Sequence, residues 1–427
     1  MHLRIHIKET LTKLFIISFG LSRLLFYKDA EWSEYFGFFS MAPTPGTIDQ
    51  LLLAFSVVLG VILSAVCFAD YLKKCNKFKL SGAIICMLII FFIFIYWTLD
   101  FLERNPLTLL WVGNFTPLTL LFGGILFAGY DEKLMYSISK FSKYVAIVFL
   151  GLSLYHTVEF YIAMGRVGIR YGNSNIMSFF IYGFYALTLF VYGNKEFGFC
   201  KNNKLIFSLT ILAAIVAIAS VSRGWIIQSL ILLLYAYLGK DSNGKKYNSR
   251  FMTRIIAIIC IIGVLVIALL QLAPNIASTL VGRLNEDTRS TQLHDFFLQM
   301  DAKKVFCGQG YDATYLETAH GIYAYVDNQI LMMLFRYGLL PTIMYLCIGL
   351  KAVYGFFKYK IGYGFAAMMW LAALNGLAIY ITYGIDIQNL FIMLVIGRAL
   401  ALIDRKRHEA VNRIFTKYDH TLQCLVD

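Results

Sequence analysis

Apolar blocks of about twenty residues recur along this chain, separated by short connectors rich in lysine and arginine. As a helix, a block of that length rises about 1.5 Å per residue and crosses a hydrocarbon core of about 30 Å. A bilayer offers no water to the backbone, so a spanning segment must satisfy its own N–H and C=O groups, as a helix does. The pattern predicts an all-α integral membrane protein, a single polytopic domain over residues 1–427. It excludes an ordinary soluble domain, because 59% of the residues are hydrophobic and only 15% charged, against about a quarter charged in soluble proteins.

Twelve helices are predicted, near 11–27, 49–70, 80–100, 107–128, 144–164, 175–193, 204–220, 224–239, 255–277, 328–350, 361–383 and 386–403. The connectors carry the orientation. With the N-terminus inside, the inner segments hold Lys8 and Lys13, then Lys73 to Lys79, Lys133 to Lys143, Lys195 to Lys204, Lys240 to Arg254, Lys358 and Lys360, and Arg405 to Arg407. The outer segments hold Glu31, Glu34, Asp100, Glu103 and Asp386, with Lys28 and the Lys303–Lys304 pair as exceptions. Positive residues stay on the inner side. The formal net charge of +13 therefore follows from topology, and nucleic acid is not an expected partner. The basic, then apolar, first twenty residues lack a small-residue cleavage site and read as a first membrane helix. None of the eight cysteines stands in a CxxC or zinc-like spacing, so neither a disulfide framework nor a structural metal is expected.

This count leaves one long polar interruption, a loop over 279–327 between helices nine and ten, on the outer side. Within it RSTQLHDFFLQM predicts an amphipathic helix with Leu293, Phe296, Phe297 and Met300 towards the membrane, broken by Gly308, Gln309 and Gly310.

Several arginines fall on that disfavoured outer side: Arg166, Arg170, Arg223, Arg283 and Arg289. A guanidinium stays charged and matches the oxygens of a phosphate, so each is a candidate anion ligand, with a structural salt bridge as the alternative. Arg223 stands out, because SVSRG joins two spans with no room for a solvated loop. Asn173 and Asn175 can cap the sixth span or meet sugar hydroxyls. His156 and Glu159, three apart in the fifth span, read as a hydrogen-bonded structural pair. Asp327 stands at the mouth of the tenth helix, where a carboxylate serves as an N-cap or as a general base, and His320 upstream is a second candidate base.

Four short motifs carry a resemblance over residues 165–345. They are RYGNSN at 170–175, SVSRG at 220–224, Arg289 with GQGY at 308–311, and Asp327-Asn328 followed nine residues later by GLLP at 338–341. In this order the chain resembles the O-antigen polymerase and ligase superfamily of bacterial envelope glycosyltransferases. The ligases carry His-Asn and Gly-Leu-x-Gly where this chain has Asp327-Asn328 and ends in Pro341. The resemblance implies a GT-C-like fold of about twelve helices in the bacterial inner membrane, with both termini cytoplasmic and the large loop periplasmic. It also implies metal-independent transfer, with no cofactor, of a glycan from undecaprenyl pyrophosphate. Arg223, Arg289 and Arg170 would hold the pyrophosphate, and Asn328, Tyr311 and Asn175 the sugars. Asp327, or His320 in its place, would activate the acceptor hydroxyl. Asp-Asn is closer to the polymerases, whose acceptor is a second lipid-linked repeat unit. The ligase, with lipid A-core as acceptor, and a flippase for the same lipid are the alternatives. Membrane lipid and a chain-length regulator protein are the further partners implied.

Overall fold

Helices form where the apolar blocks lie. The computed structural model describes residues 2–28, 32–35, 38–41, 47–74, 121–164, 174–200, 203–219, 223–238, 288–309, 313–318, 321–323, 326, 328–374 and 387–423. The predicted spans 80–100 and 255–277, and most of 107–128, lie outside the described residues. The first helices are α1 (His2–Lys28), α2 (Thr47–Lys74), α3 (Leu121–Ala128) and α4 (Glu132–Met164). After them come α5 (Ser174–Phe197), α6 (Asn203–Ala219) and α7 (Arg223–Leu238). The loop region contributes α8 (Thr288–Leu298), α9 (Ala302–Cys307) and α10 (Gln329–Tyr337), and the bundle resumes with α11 (Leu339–Tyr359), α12 (Gly362–Leu374) and α13 (Ile387–Gln423). Two short antiparallel hairpins, which the apolar periodicity did not predict, pair β1 (Trp32–Tyr35) with β2 (Phe38–Met41) and β3 (Tyr315–Glu317) with β4 (Gly321–Tyr323).

Among the described residues, two helices are long and apolar enough to cross a membrane, α2 over Ala54–Lys73 and α4 over Glu132–Ile162. Shorter apolar stretches run over Lys204–Ala219 in α6 and Gly224–Ala236 in α7. The outward face of α4 exposes Tyr144, Val148, Tyr155, Val158 and Ile162, and that of α2 exposes Leu51, Phe55, Val58 and Ile62. Water would penalise such stripes and hydrocarbon would not.

Two helices form the centre. In α5 every residue from Phe179 to Asn194 is buried, and in α13 every residue from Leu390 to Leu400. A helix that is apolar all round belongs inside a bundle. Close approach is made possible by Gly397, where a Cβ would collide with the Leu126 carbonyl oxygen of α3. Small residues serve this purpose in membrane helices.

A layer of ion pairs closes one end of this centre. Arg398 of α13 is 3% exposed. Its Nε donates to both carboxylate oxygens of Glu196 in α5, at 3.0 and 3.1 Å, and its Nη2 adds a 2.5 Å bond to Oε1. Glu132 at the start of α4 lies 3.6 Å from the same guanidinium. Beside it, Lys8 of α1 reaches Asp70 of α2 at 2.7 Å and Asp131, before α4, at 2.5 Å. The layer thus collects the first turns of α1, the end of α2, the turn between α3 and α4, the end of α5 and the middle of α13. Apart from Arg398, which lies within a predicted span, these positions are in or beside connectors that the charge pattern assigns to the inner side.

Several boundaries differ from the predicted ones: α1 and α4 start about ten residues early, and two differences have a clear cause in the sequence. The span at 328–350 is two helices, α10 and α11, broken at Gly338 (φ 83°). The GLLP motif explains the break. Gly338 takes the left-handed backbone, and Pro341 falls in the first turn of α11, where its missing N–H breaks no helix bond. The span at 386–403 continues as helix to Gln423, because the RKRHEAVNRIF stretch contains no glycine or proline. Arg405 and Lys406 pair with Glu409 one turn on, at 3.5 and 3.3 Å.

Removing one partner of the central pair leaves a buried charge unpaired. Arg398→Ala and Glu196→Ala should each destabilise the bundle by about 3–5 kcal/mol. An apolar double replacement (Arg398→Met with Glu196→Leu) should recover a good part of that. Thermal unfolding in detergent checks it, and melting temperatures for both single variants equal to that of the native chain would refute it.

Candidate functional site

Two of the candidate positions, Asn175 and Arg223, stand at helix starts at the end of the bundle opposite the ion-pair layer. Twenty-one residues of α5 separate Asn175 from Glu196, a rise of about 32 Å at about 1.5 Å per residue. That is close to the hydrocarbon thickness of about 30 Å. At the Asn175 end, α7 begins at Arg223. Trp225, fully buried two residues later, holds α7 against α5. Its ring meets Phe180, Phe184 and Tyr185 edge-on, with centroids 5.4, 5.5 and 5.9 Å away. The last residues of the RYGNSN and SVSRG motifs, Ser174–Asn175 and Arg223–Gly224, therefore open two packed helices at one end. The helix macrodipole adds positive potential at the same place.

The C-terminal part of α4 ends there too. His156 Nδ1 lies 3.0 Å from Glu159 Oε2, and its ring stacks on Phe179 of α5 at 5.5 Å. The pair is hydrogen-bonded, as its spacing predicts. Deeper between α5, α7, α12 and α13, Tyr185, Thr188, Gln228, Leu232, Met369 and Trp370 surround a cavity of about 20 Å³. A water needs roughly 10–15 Å³ by this measure, so the space suits a water and not a sugar.

The loop builds a small core of its own from Phe296, Ala313, Tyr315, Val326 and Phe335, with Leu293, Met300 and Leu331 packed on it. Phe296 of α8 meets Phe335 of α10 at 5.3 Å and Tyr315 of β3 at 5.6 Å. The apolar face of α8 therefore turns inward. Of the four residues predicted to face the membrane, only Phe297 is exposed. The reason lies on the adjoining face of α8. Gln299 donates from Nε2 to the Leu316 carbonyl at 2.7 Å and accepts the Leu316 N–H at 2.9 Å, standing in for a strand beside β3. Asp295 accepts the Thr318 N–H at 2.8 Å. The helix also ends at Leu298, and α9, capped by Asp301, intervenes before Gly308.

At the head of α10 the cap is Asn328. Its Oδ1 accepts the N–H groups of Ile330 and Leu331 at 3.0 and 3.1 Å. The capping role considered for Asp327 thus belongs to its neighbour, and the Asn328 carbonyl oxygen is committed to the helix. α10 joins two cores, with Met333 in that of the bundle and Phe335 in that of the loop. Arg170, Tyr311, His320 and Asp327 lie outside the described residues. Of Asn175, Arg223 and Arg289 only the backbone is described; Arg289 falls in the first turn of α8.

Two buried arginines were missed from sequence. Arg398 interrupts the apolar run NLFIMLVIGRALALI, and Arg336, 3% exposed in α10, interrupts ILMMLFRYGLL. A lone arginine inside an apolar block was the available signal. Among the described residues no group of His, Cys, Asp and Glu could hold a metal ion. Compared with known proteins, the chain matches no family model, no curated protein and no solved structure.

The Thr318 N–H, then the Thr318 hydroxyl and His294, hold the Asp295 carboxyl below its ordinary value. A carboxylate depressed in the fold stabilises it above the unfolded pKa, and the contribution is lost as pH falls through the folded one. Hydrogen-exchange protection of the Leu316 and Thr318 amides should hold constant from about pH 5 to 8 and weaken below about pH 4. Equal protection factors at about pH 6 and about pH 2.5 would remove Asp295 from this role. Asn328→Ala should cost about 1 kcal/mol through the lost cap. Loop proteolysis at the rate of the native chain would contradict that.

Proposed function

We propose that this chain is a polytopic inner-membrane glycosyltransferase that polymerises lipid-linked repeat units of a surface polysaccharide. In this reading about twelve helices cross the membrane, both termini are cytoplasmic, and the loop over 279–327 lies on the periplasmic face. The observation that carries it is the packing of Trp225 on Phe180 and Phe184. It brings the starts of two motif-bearing helices to one end, about a membrane thickness from the basic end.

The chemistry follows from the residues. The hydroxyl of an acceptor repeat unit attacks the anomeric carbon of the donor glycan. The bond from that carbon to the phosphate oxygen breaks, and the electron pair leaves with undecaprenyl pyrophosphate. The hydroxyl proton passes to a base, Asp327 or His320. Charge accumulates on the leaving pyrophosphate, and guanidinium groups fixed in a water-poor site stabilise it. Arg223 at the start of α7 and Arg289 in the first turn of α8 are the residues for that role, with Arg170, four residues before α5 in sequence, as the third. No step requires a cofactor.

With purified protein and a lipid-linked repeat unit, Arg223→Ala and Arg289→Ala should each lower chain extension by about a hundredfold or more, at unchanged protein level. Near-native chain lengths on a polysaccharide gel would count against the assignment. Labelled lipid that crosses the bilayer without being lengthened would favour a flippase.

A further inference from the structure

The short helix α9 poses a problem of exposure. Four of its six residues (Ala302, Val305, Phe306 and Cys307) are apolar or nearly so, yet none is buried. Phe306 is 63% exposed. The helix is not free in space. The Gln309 N–H donates to the Phe335 carbonyl of α10 at 2.8 Å. A Cβ on Gly338 would collide with the Phe306 carbonyl oxygen, so the α9 terminus lies directly against the α10–α11 junction. Phe306 is thus held level with the first turn of α11.

From that level an apolar stripe runs down α11. Leu340, Ile343, Cys347, Leu350, Tyr354 and Phe357, spaced by three and four residues, are all exposed. The seventeen steps from Leu340 to Phe357 rise about 26 Å, nearly the thickness of the hydrocarbon core. At its far end Lys358 lies over the rings of Tyr354 and Tyr359, at 5.2 and 5.5 Å, a cation–aromatic pairing that suits an interface. At its near end stand Phe306 and the exposed Lys303, with Lys304 tied to the Gln299 carbonyl at 2.7 Å. Among the described residues of this corner, Asp301 caps α9 through the Lys304 N–H at 2.8 Å and lies 3.9 Å from the Lys304 ammonium, which leaves Lys303 as the freer cation. Lys303 and Lys304 are the pair that breaks the outer-side rule against lysine. A lysine whose head reaches lipid phosphate from a helix lying at the membrane surface explains that exception.

We infer that α9 is an interfacial anchor, with Phe306 in the acyl boundary of the leaflet at the Arg223 end and Lys303, backed by the positive charge of Lys304, on anionic lipid headgroups. It continues the lipid-facing stripe of α11 onto the loop and fixes the height of the loop unit, and so of α8, above the membrane. The inference rests on the chain being membrane-embedded.

The test replaces one residue at a time with p-benzoylphenylalanine, at Phe306, Val158 or His408, in the full chain. The protein is placed in vesicles of phosphatidylethanolamine and phosphatidylglycerol, irradiated and read by mass spectrometry. Phospholipid adducts are expected at 306 and at 158 on the exposed face of α4, and none at 408 in the exposed part of α13. The phosphatidylglycerol share at 306 should exceed that at 158 by about twofold, and Lys303→Gln with Lys304→Gln should abolish the excess. Adducts at 158 without any at 306 overturn the anchor and leave the membrane reading standing. Adducts at neither position overturn both. A cross-linked protein dimer from position 306 overturns the anchor in favour of an interface between copies.

Discussion

A guanidinium buried between the two most enclosed helices governs how this bundle is put together. Arg398 can be desolvated only because Glu196 meets it with two oxygens and Glu132 stands within reach. Attraction between buried charges roughly offsets their desolvation when the geometry is good, so the pair adds little net stability and much specificity of alignment. Any axial slip of α13 against α5 would separate the partners and expose both to an apolar surrounding. Lys8, shared between Asp70 and Asp131, pins α1, α2 and α4 at the same height. The apolar contacts above this layer are non-directional and would tolerate sliding. The ion pairs would not.

The bundle was legible in sequence where periodicity and punctuation agreed. The blocks at 144–164, 175–193, 204–220 and 224–239 appear as α4 to α7 with ends shifted by a few residues, and only α4 starts a dozen residues early. Alternating connector charge anticipated which helix ends meet, since Lys8, Lys73, Lys133 and Lys195 all lie at or beside one layer. The break at Gly338 was also present, as Gly-Leu-Leu-Pro, but an unbroken apolar run concealed it. The loop was the least legible part. The amphipathic face of α8 has the same period whether its partner is lipid or protein, and hydropathy cannot separate the two. What decides is Gln299 bonding both backbone groups of Leu316, a pairing across seventeen residues with no local signature.

The candidate site was legible in part for a related reason. Arg223 is singled out by asking which charges sit where topology disfavours them and Asn175 by its place in a polar turn, and the helices that carry them start side by side. Asp327 and Asn328 illustrate the limit of that reasoning. Neighbouring residues that can both cap a helix cannot be told apart by spacing, and backbone geometry gives the cap to Asn328. Arg398 and Arg336 were passed over because each is a single charge in a strongly apolar window, which averaging conceals.

The loop core and the bundle core are separate clusters, sharing one nine-residue helix, α10. Cooperative units of that kind open at their own free energies, and a small one opens well below the global value. Arg289 therefore belongs to a folding equilibrium distinct from the one that holds Arg223. Mild denaturant or warming would dissolve the first while the second stays intact. A function that used Arg289 together with Arg223, as proposed, would therefore depend on the local stability of about fifty residues.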